Sequence, residues 1–247
     1  MALVEAEGVH VRFGDRVVLE EINLSVNEGE LHGIMGPNGA GKTTFFNTLT
    51  GRVKPNRGRI RLNGEDVAGL SPHTNARKGL ARSFQIMTLF NDFTAQENVM
   101  VALPAFRARG FDVRRAVAGD AGLSDEANEV LASVGLAGKA GVSAKLLSYG
   151  ERRALEIAVA LAQRPRVLCL DEPTSGLGTD GTLRLAELIA SLKSKLTIVA
   201  VEHDMRFLFS LADRISVIHW GQVVARGTPR ELQENAWVKR SNLGSFE

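Results

Sequence analysis

Residues 36–43 read Gly36-Pro37-Asn38-Gly39-Ala40-Gly41-Lys42-Thr43, and this stretch decides the fold. It matches the phosphate-loop pattern G-x-x-x-x-G-K-[ST] at every fixed position. The flanks fit as well. Residues 30–35 predict a short strand leading into the loop, and residues 42–49 predict a helix stopped by Gly51. Glycines let the backbone curl so that successive N–H groups point inward at phosphate oxygens, and the helix start adds its positive dipole end. In that arrangement Lys42 reaches the β- and γ-phosphates, Thr43 ligates Mg²⁺, and Thr44 follows in the first helical turn. A bare Gly-rich helix cap would not need the Lys-Thr pair. The motif alone implies a nucleoside triphosphate and nothing about the work done with it.

Working outward, residues 167–172 read Val-Leu-Cys-Leu-Asp-Glu, an apolar strand ending in two carboxylates. Ligands in open α/β sheets bind at the carboxyl ends of strands. Asp171 is therefore expected to hold Mg²⁺, directly or through water, and Glu172 to polarise an attacking water. Taken alone, the same residues also suit a solvated acidic turn. Further strands are expected at 196–201 and 215–220, with helices near 151–162, 183–192 and 205–212. Such alternation predicts a mostly parallel sheet with helices on both faces. The first third reads as antiparallel strands, with turns at Gly14-Asp15 and Asn63-Gly64. Between 94 and 145 the composition shifts towards Ala, Arg and acidic residues. Residues 124–134 there carry Ala127, Val130, Leu131 and Val134 at helical spacing, which predicts an inserted helical subdomain.

Composition bounds the partners. The chain has 247 residues, 44% of them hydrophobic, with 30 Lys+Arg against 28 Asp+Glu. A balance so close to neutral carries no footprint of nucleic-acid binding. The single Cys169 excludes an internal disulfide and sits in an apolar run. No stretch has the roughly 20 apolar residues of a spanning helix, and the first residues carry no apolar signal-peptide core. The chain is expected to be soluble and intracellular, so any membrane role comes through a partner.

Leu147-Ser148-Tyr149-Gly150-Glu151 makes the pattern specific. As Ser-x-x-Glu before an apolar-periodic helix it is a capping box. It also resembles the Leu-Ser-Gly-Gly-Gln signature of the ABC ATPase family, with Tyr149 and Glu151 as departures. Other family elements stand in the expected order. Phe13 takes the place of the aromatic that stacks on adenine, Gln85 that of the glutamine sensing Mg²⁺ and the attacking water, and His203 that of the switch histidine. Residues 175–178 match the loop after the carboxylates, except that Gly178 stands where most relatives have Asp. The resemblance covers nearly the whole chain. It implies a P-loop NTPase of α/β class: a RecA-like core, an N-terminal antiparallel β subdomain, and an inserted α-helical subdomain at 86–154, all within one ABC ATPase domain of residues 1–247.

For the site, the resemblance implies ATP held by Phe13, residues 36–44, and Gln85, Asp171, Glu172 and His203 of one subunit. Ser148 and Gly150 of another would complete it. Glu172, His203 and Gln85 are the catalytic candidates; Thr43, Gln85 and Asp171 are the Mg²⁺ ligands. The pairing would be with a second copy or a second ATPase subunit. Ala81-Arg82-Ser83-Phe84-Gln85, Leu89-Phe90, Thr94 and Glu97-Asn98-Val99 further resemble the ATPases of branched-chain amino acid uptake, with urea and amide importers close by. Residues 140–145 lack the Glu-rich element of exporters. The system implied has membrane permease subunits, an extracytoplasmic solute-binding protein, and this chain held peripherally on the cytoplasmic face of the plasma (inner) membrane. No nucleic-acid partner is expected; the rival reading is a soluble ABC ATPase acting on nucleic acid or ribosomes. Ile86, Met87, Leu89, Phe90 and Phe93 follow Gln85 closely. They either fill the helical subdomain's core or, as the resemblance implies, receive a short permease helix, with Phe90 foremost among the exposed members.

Overall fold

The computed structural model describes residues 2–83, 89–107 and 121–241. Gln85, Ile86 and Met87 lie outside them. The N-terminal third is a four-stranded antiparallel sheet in the order β2-β1-β4-β5. Its strands are β1 (Ala2–Phe13), β2 (Arg16–Asn27), β4 (Arg57–Leu62) and β5 (Glu65–Asp66). The expected turns are present. Gly14 joins β1 to β2, and Asn63 and Gly64, both at positive φ, join β4 to β5.

The second sheet has six strands in the order β10-β9-β3-β8-β7-β6. These are β3 (Leu31–Met35), β6 (Leu80–Arg82), β7 (Val167–Asp171), β8 (Thr197–Val201), β9 (Arg214–His219) and β10 (Gln222–Gly227). Every pairing is parallel except β9 with β10. Parallel pairing carries the C-terminal ends of β3, β6, β7 and β8 to one edge. There Ile34 and Asp171 both align with Val201.

Strands buried on both faces read as unbroken apolar runs, and their alternate residues serve two cores. In β7, Val167 and Cys169 join the core shared with the antiparallel sheet, while Leu168 and Leu170 join the other. β8 divides likewise, with Val199 and Val201 on one side and Ile198 and Ala200 on the other. Helix α1 (Lys42–Leu49) plugs the first core with Phe45 and Phe46, both fully buried. Truncating either to Ala would cost about 3–5 kcal/mol.

The second core is covered by α3 (Ala95–Met100), α4 (Pro104–Arg107), α5 (Ala121–Ser133), α6 (Tyr149–Leu161), α7 (Thr179–Lys193) and α8 (Met205–Leu211). Of the face expected from the spacing, Ala127 and Leu131 are buried in α5, Val130 is half-buried, and Val134 is buried just past the helix end; Leu123, unread in the sequence, joins the buried face. Short helices α2 (Pro72–Arg77), α9 (Pro229–Glu234) and α10 (Ala236–Arg240) complete the described elements. Cys169 is buried, and burial pushes its thiol pKa up to about 12. No helix among the described residues is long and apolar enough to cross a membrane.

Candidate nucleotide site

The phosphate loop leaves β3 at Gly36. Its φ of 152° is accessible to glycine, and a Cβ there would sit 2.0 Å from the Ile218 carbonyl oxygen. Only a hydrogen fits between the loop and β9. Gly41, at φ 103°, then turns the chain into α1, which has no side-chain cap. Its first N–H groups therefore remain for a ligand. The Lys42 ammonium folds back onto the loop and donates to the carbonyls of Gly36 at 2.7 Å and Pro37 at 3.0 Å. Burial lowers the Lys42 pKa from its ordinary value, and the nearby Glu172 carboxylate opposes that shift.

Phe13, Arg16, Val18, Asn38, Gly39, Gly41, Lys42, Thr43, Thr44 and Glu172 line one open cleft of about 320 Å³. Phe13 is 53% exposed at its mouth, a free ring face beside the phosphate loop. Ala40 is buried beneath, its N–H bonded to the Pro37 carbonyl at 3.2 Å.

The carboxylate pair is asymmetric. Asp171, only 1% exposed, ends β7 and meets the Arg82 guanidinium at 2.6 Å. Arg82 also donates to Asn47 and Thr50 of the α1 region and lies 4.6 Å over the Phe46 ring. Burial lowers the Arg82 pKa, and Asp171 opposes that shift. Glu172 leaves the strand at φ 44°, a left-handed conformation that costs a non-glycine residue about 1 kcal/mol or more. That turn is braced from two sides. The Glu172 N–H bonds to the Val201 carbonyl at 2.9 Å, and its own carbonyl accepts from Arg153 of α6 at 2.9 Å.

His203 follows β8 with its side chain 58% exposed, and it is not among the residues lining the phosphate-loop cleft. Buried Glu202 anchors it by accepting from the His203 N–H at 3.0 Å and from both the N–H and hydroxyl of Thr174. Arg82, Arg153 and Glu202 thus hold the site without having been read from sequence. Arg82 and Glu202 each adjoin a recognised motif, which is the signal that points to them.

Ser148 and Gly150 lie elsewhere. They are exposed at the start of α6, on a cavity of about 800 Å³ that also touches Tyr149, Gly176, Gly178 and Arg184. This cavity holds neither the phosphate loop nor Glu172. The capping box expected there is complete: Ser148 accepts from the Glu151 N–H, and Glu151 accepts from the Ser148 N–H. Gly178 caps α7 without a side-chain bond.

The family model for ABC transporters matches residues 19–175. The chain belongs to the ABC transporter family. It is 41% identical, over 98% of both chains, to the high-affinity branched-chain amino acid transport ATP-binding protein BraF of Pseudomonas aeruginosa. The corresponding LivG protein of Escherichia coli K12 is 38% identical, again over 98% of both chains. The lipopolysaccharide export ATP-binding protein LptB of Haemophilus influenzae is 31% identical over 99% of this chain and 98% of that one. Among solved structures, the ADP conformation of an ABC transporter cassette superposes with a TM-score of 0.88. It is 25% identical and covers 99% of this chain and 100% of that one. A dimeric cassette in a post-hydrolysis state, bound to ADP and Pi, gives a TM-score of 0.76 at 27% identity, covering 92% of this chain and 99% of that chain. This ABC protein is an ATP-hydrolysing subunit with the P-loop NTPase fold expected from the sequence. Nothing in these relatives favours the nucleic-acid or ribosome alternative.

Proposed function

We propose that this ABC ATPase powers import of branched-chain amino acids through separate permease subunits, working on the cytoplasmic face of the plasma membrane with an extracytoplasmic solute-binding protein. The observation that carries the dimeric mechanism is a separation. Lys42, Thr43 and Glu172 line one cleft, whereas Ser148 and Gly150 line another cavity of the same chain. A site needing both sets is completed by a second ATPase subunit, whether another copy or a different chain. The solute reading rests on relatives at 38–41% identity over nearly full length, well above the export relative at 31%.

In this reading Phe13 stacks on adenine, and residues 36–44 wrap the phosphates. Lys42 neutralises the β/γ oxygens, and Glu172 orients the attacking water. His203 would donate to the γ-phosphate, Gln85 would hold the metal and orient the water, and Ser148 and Gly150 of the second subunit would close over the γ-phosphate. Positioning and charge neutralisation supply most of the acceleration. The donors present suit Mg²⁺. They are hard oxygens, the Thr43 hydroxyl and the Asp171 carboxylate, which would hold the ion beside the phosphates. The ion would supply neutralisation of charge on the transferring group.

Phe90 is offered as a permease contact. It is 55% exposed and stacks on Phe93 at 5.1 Å, while Leu89 is buried in the core. Buried Asn98 fixes this presentation, accepting from the Phe90 N–H at 2.8 Å and donating to its carbonyl at 3.1 Å. The test of function is reconstitution with the neighbouring permease subunits and binding protein in liposomes. ATP-dependent uptake of labelled leucine, isoleucine or valine is expected. Uptake of urea or an amide instead, or none of any, would refute the solute assignment.

A further inference from the structure

Helix α6 presents Ser148 and Gly150 at its exposed start and grips its own subunit through the residues beside them. Tyr149 and Arg153 stand one turn apart, at i and i+4, so they share a face. The Tyr149 hydroxyl donates to the Ser175 carbonyl at 2.9 Å. Its ring rests on Gly176, where a Cβ would come within 2.7 Å of the hydroxyl oxygen and 2.9 Å of Cζ. Gly176 has φ +78°, so this backbone is shaped to glycine and the ring occupies the space a side chain would need.

Arg153 holds the preceding residues. It donates to the carbonyls of Asp171 at 3.1 Å, Glu172 at 2.9 Å and Pro173 at 3.1 Å. Buried Glu156 balances its charge at 2.8 Å. Together the two side chains bind the segment from Asp171 to Ser175 to one helix. That segment contains Glu172 in its left-handed turn.

The two grips differ in kind. Arg153 is 4% exposed and charge-balanced, so releasing it would strand a buried ion, a large cost. Tyr149 is 46% exposed, and its single neutral bond can exchange for water. Tyr149 is therefore the adjustable contact, and it adjoins Ser148.

We propose that Tyr149 is a positioning residue that couples the Ser148 end of α6 to the Glu172–Ser175 backbone of its own subunit. Engagement of Ser148 by nucleotide on a second subunit is thereby transmitted to the first subunit's own catalytic carboxylate. This deepens the composite-site reading and rests on it. The link gives the two sites of a dimer a physical connection through one helix.

The test is Tyr149→Phe, which keeps the ring and removes one hydroxyl. ATP affinity is measured by calorimetry, and ATP-driven dimerisation by sedimentation with Glu172→Gln added to stop hydrolysis. Turnover is measured per dimer. Expected are affinity and dimerisation within about twofold of the parent and a turnover lower by about three- to tenfold, the worth of one neutral hydrogen bond. Unchanged turnover would overturn the coupling. So would a loss explained wholly by weaker dimerisation, because Tyr149 would then act at the second subunit's nucleotide. Ser148→Arg separates the two levels. If it fails to disturb ATP-driven dimerisation, the composite site itself is refuted. If it does disturb it while Tyr149→Phe is silent, only the coupling falls.

Discussion

Helices α1 and α6 both begin where a phosphate is expected, and they begin in opposite ways. α1 starts from left-handed Gly41, has no side-chain cap, and carries no acidic residue in its first turn. α6 starts from Ser148 with a reciprocal cap to Glu151, whose carboxylate also meets Lys139 at 3.1 Å. The Ser148 backbone N–H, then Lys139, hold the Glu151 carboxyl below its ordinary range, so it stays ionised beside the helix start. One end is open, with donors and dipole unopposed; the other is already satisfied within its own chain. The first suits a helix that holds phosphate by itself. The second suits a helix that meets phosphate only when another subunit brings it.

The comparison breaks most sharply at Lys42. Lys42→Ala should weaken ATP binding by about 10- to 100-fold, the scale of a lost charge-assisted bond, with the fold intact by circular dichroism. Ser148→Arg should leave ATP binding to the isolated chain near normal, yet abolish turnover. Mixing Lys42→Ala with Ser148→Arg subunits under exchange should restore part of the ATPase activity, because one composite site is then whole. No recovery would count against sites shared between subunits.

A smaller effect is expected away from both helix starts. Phe90→Asp should keep ATP affinity and melting temperature near the parent while permease association is lost in pull-downs from solubilised membranes. A melting temperature that collapses instead would place Phe90 in the core. The smallest effect sharpens the difference in capping. Glu151→Ala should cost about 1 kcal/mol, seen as a fall of about 2–4 °C in melting temperature. An equivalent change in α1 has no counterpart, since that helix has no capping side chain.

How much of this was legible in the sequence follows the range of the forces involved. The phosphate loop, the β7 carboxylates and the Ser148–Glu151 box are local signals, and the helices they announced appear within a few residues of expectation. Helix α6, expected over 151–162, runs Tyr149–Leu161, and the helix expected at 183–192 runs Thr179–Lys193. Strand β6 went unread because three residues, Leu80–Arg82, carry no periodicity; its pairing with β7 creates it. Arg82 on Asp171, Arg153 on the Glu172 carbonyl and Tyr149 on Ser175 are contacts across distant segments, invisible to spacing. Helix α9 did carry a readable signal, Thr228-Pro229 followed by Glu231, a capping box with proline in the first turn. Gln85, Ile86 and Met87 fall outside the described residues, so their assignments rest on the sequence pattern.

The central claim is that catalysis needs two subunits, each lending α6 to the other's phosphate cleft. It is tested most directly by sedimentation of Glu172→Gln with ATP and with ADP. Removing the carboxylate's charge while keeping its size should leave binding intact and halt hydrolysis, so a dimer should accumulate with ATP and dissociate with ADP. A chain that remains monomeric with saturating ATP, while still hydrolysing it at the parent's rate, would contradict both the shared site and the role of Glu172.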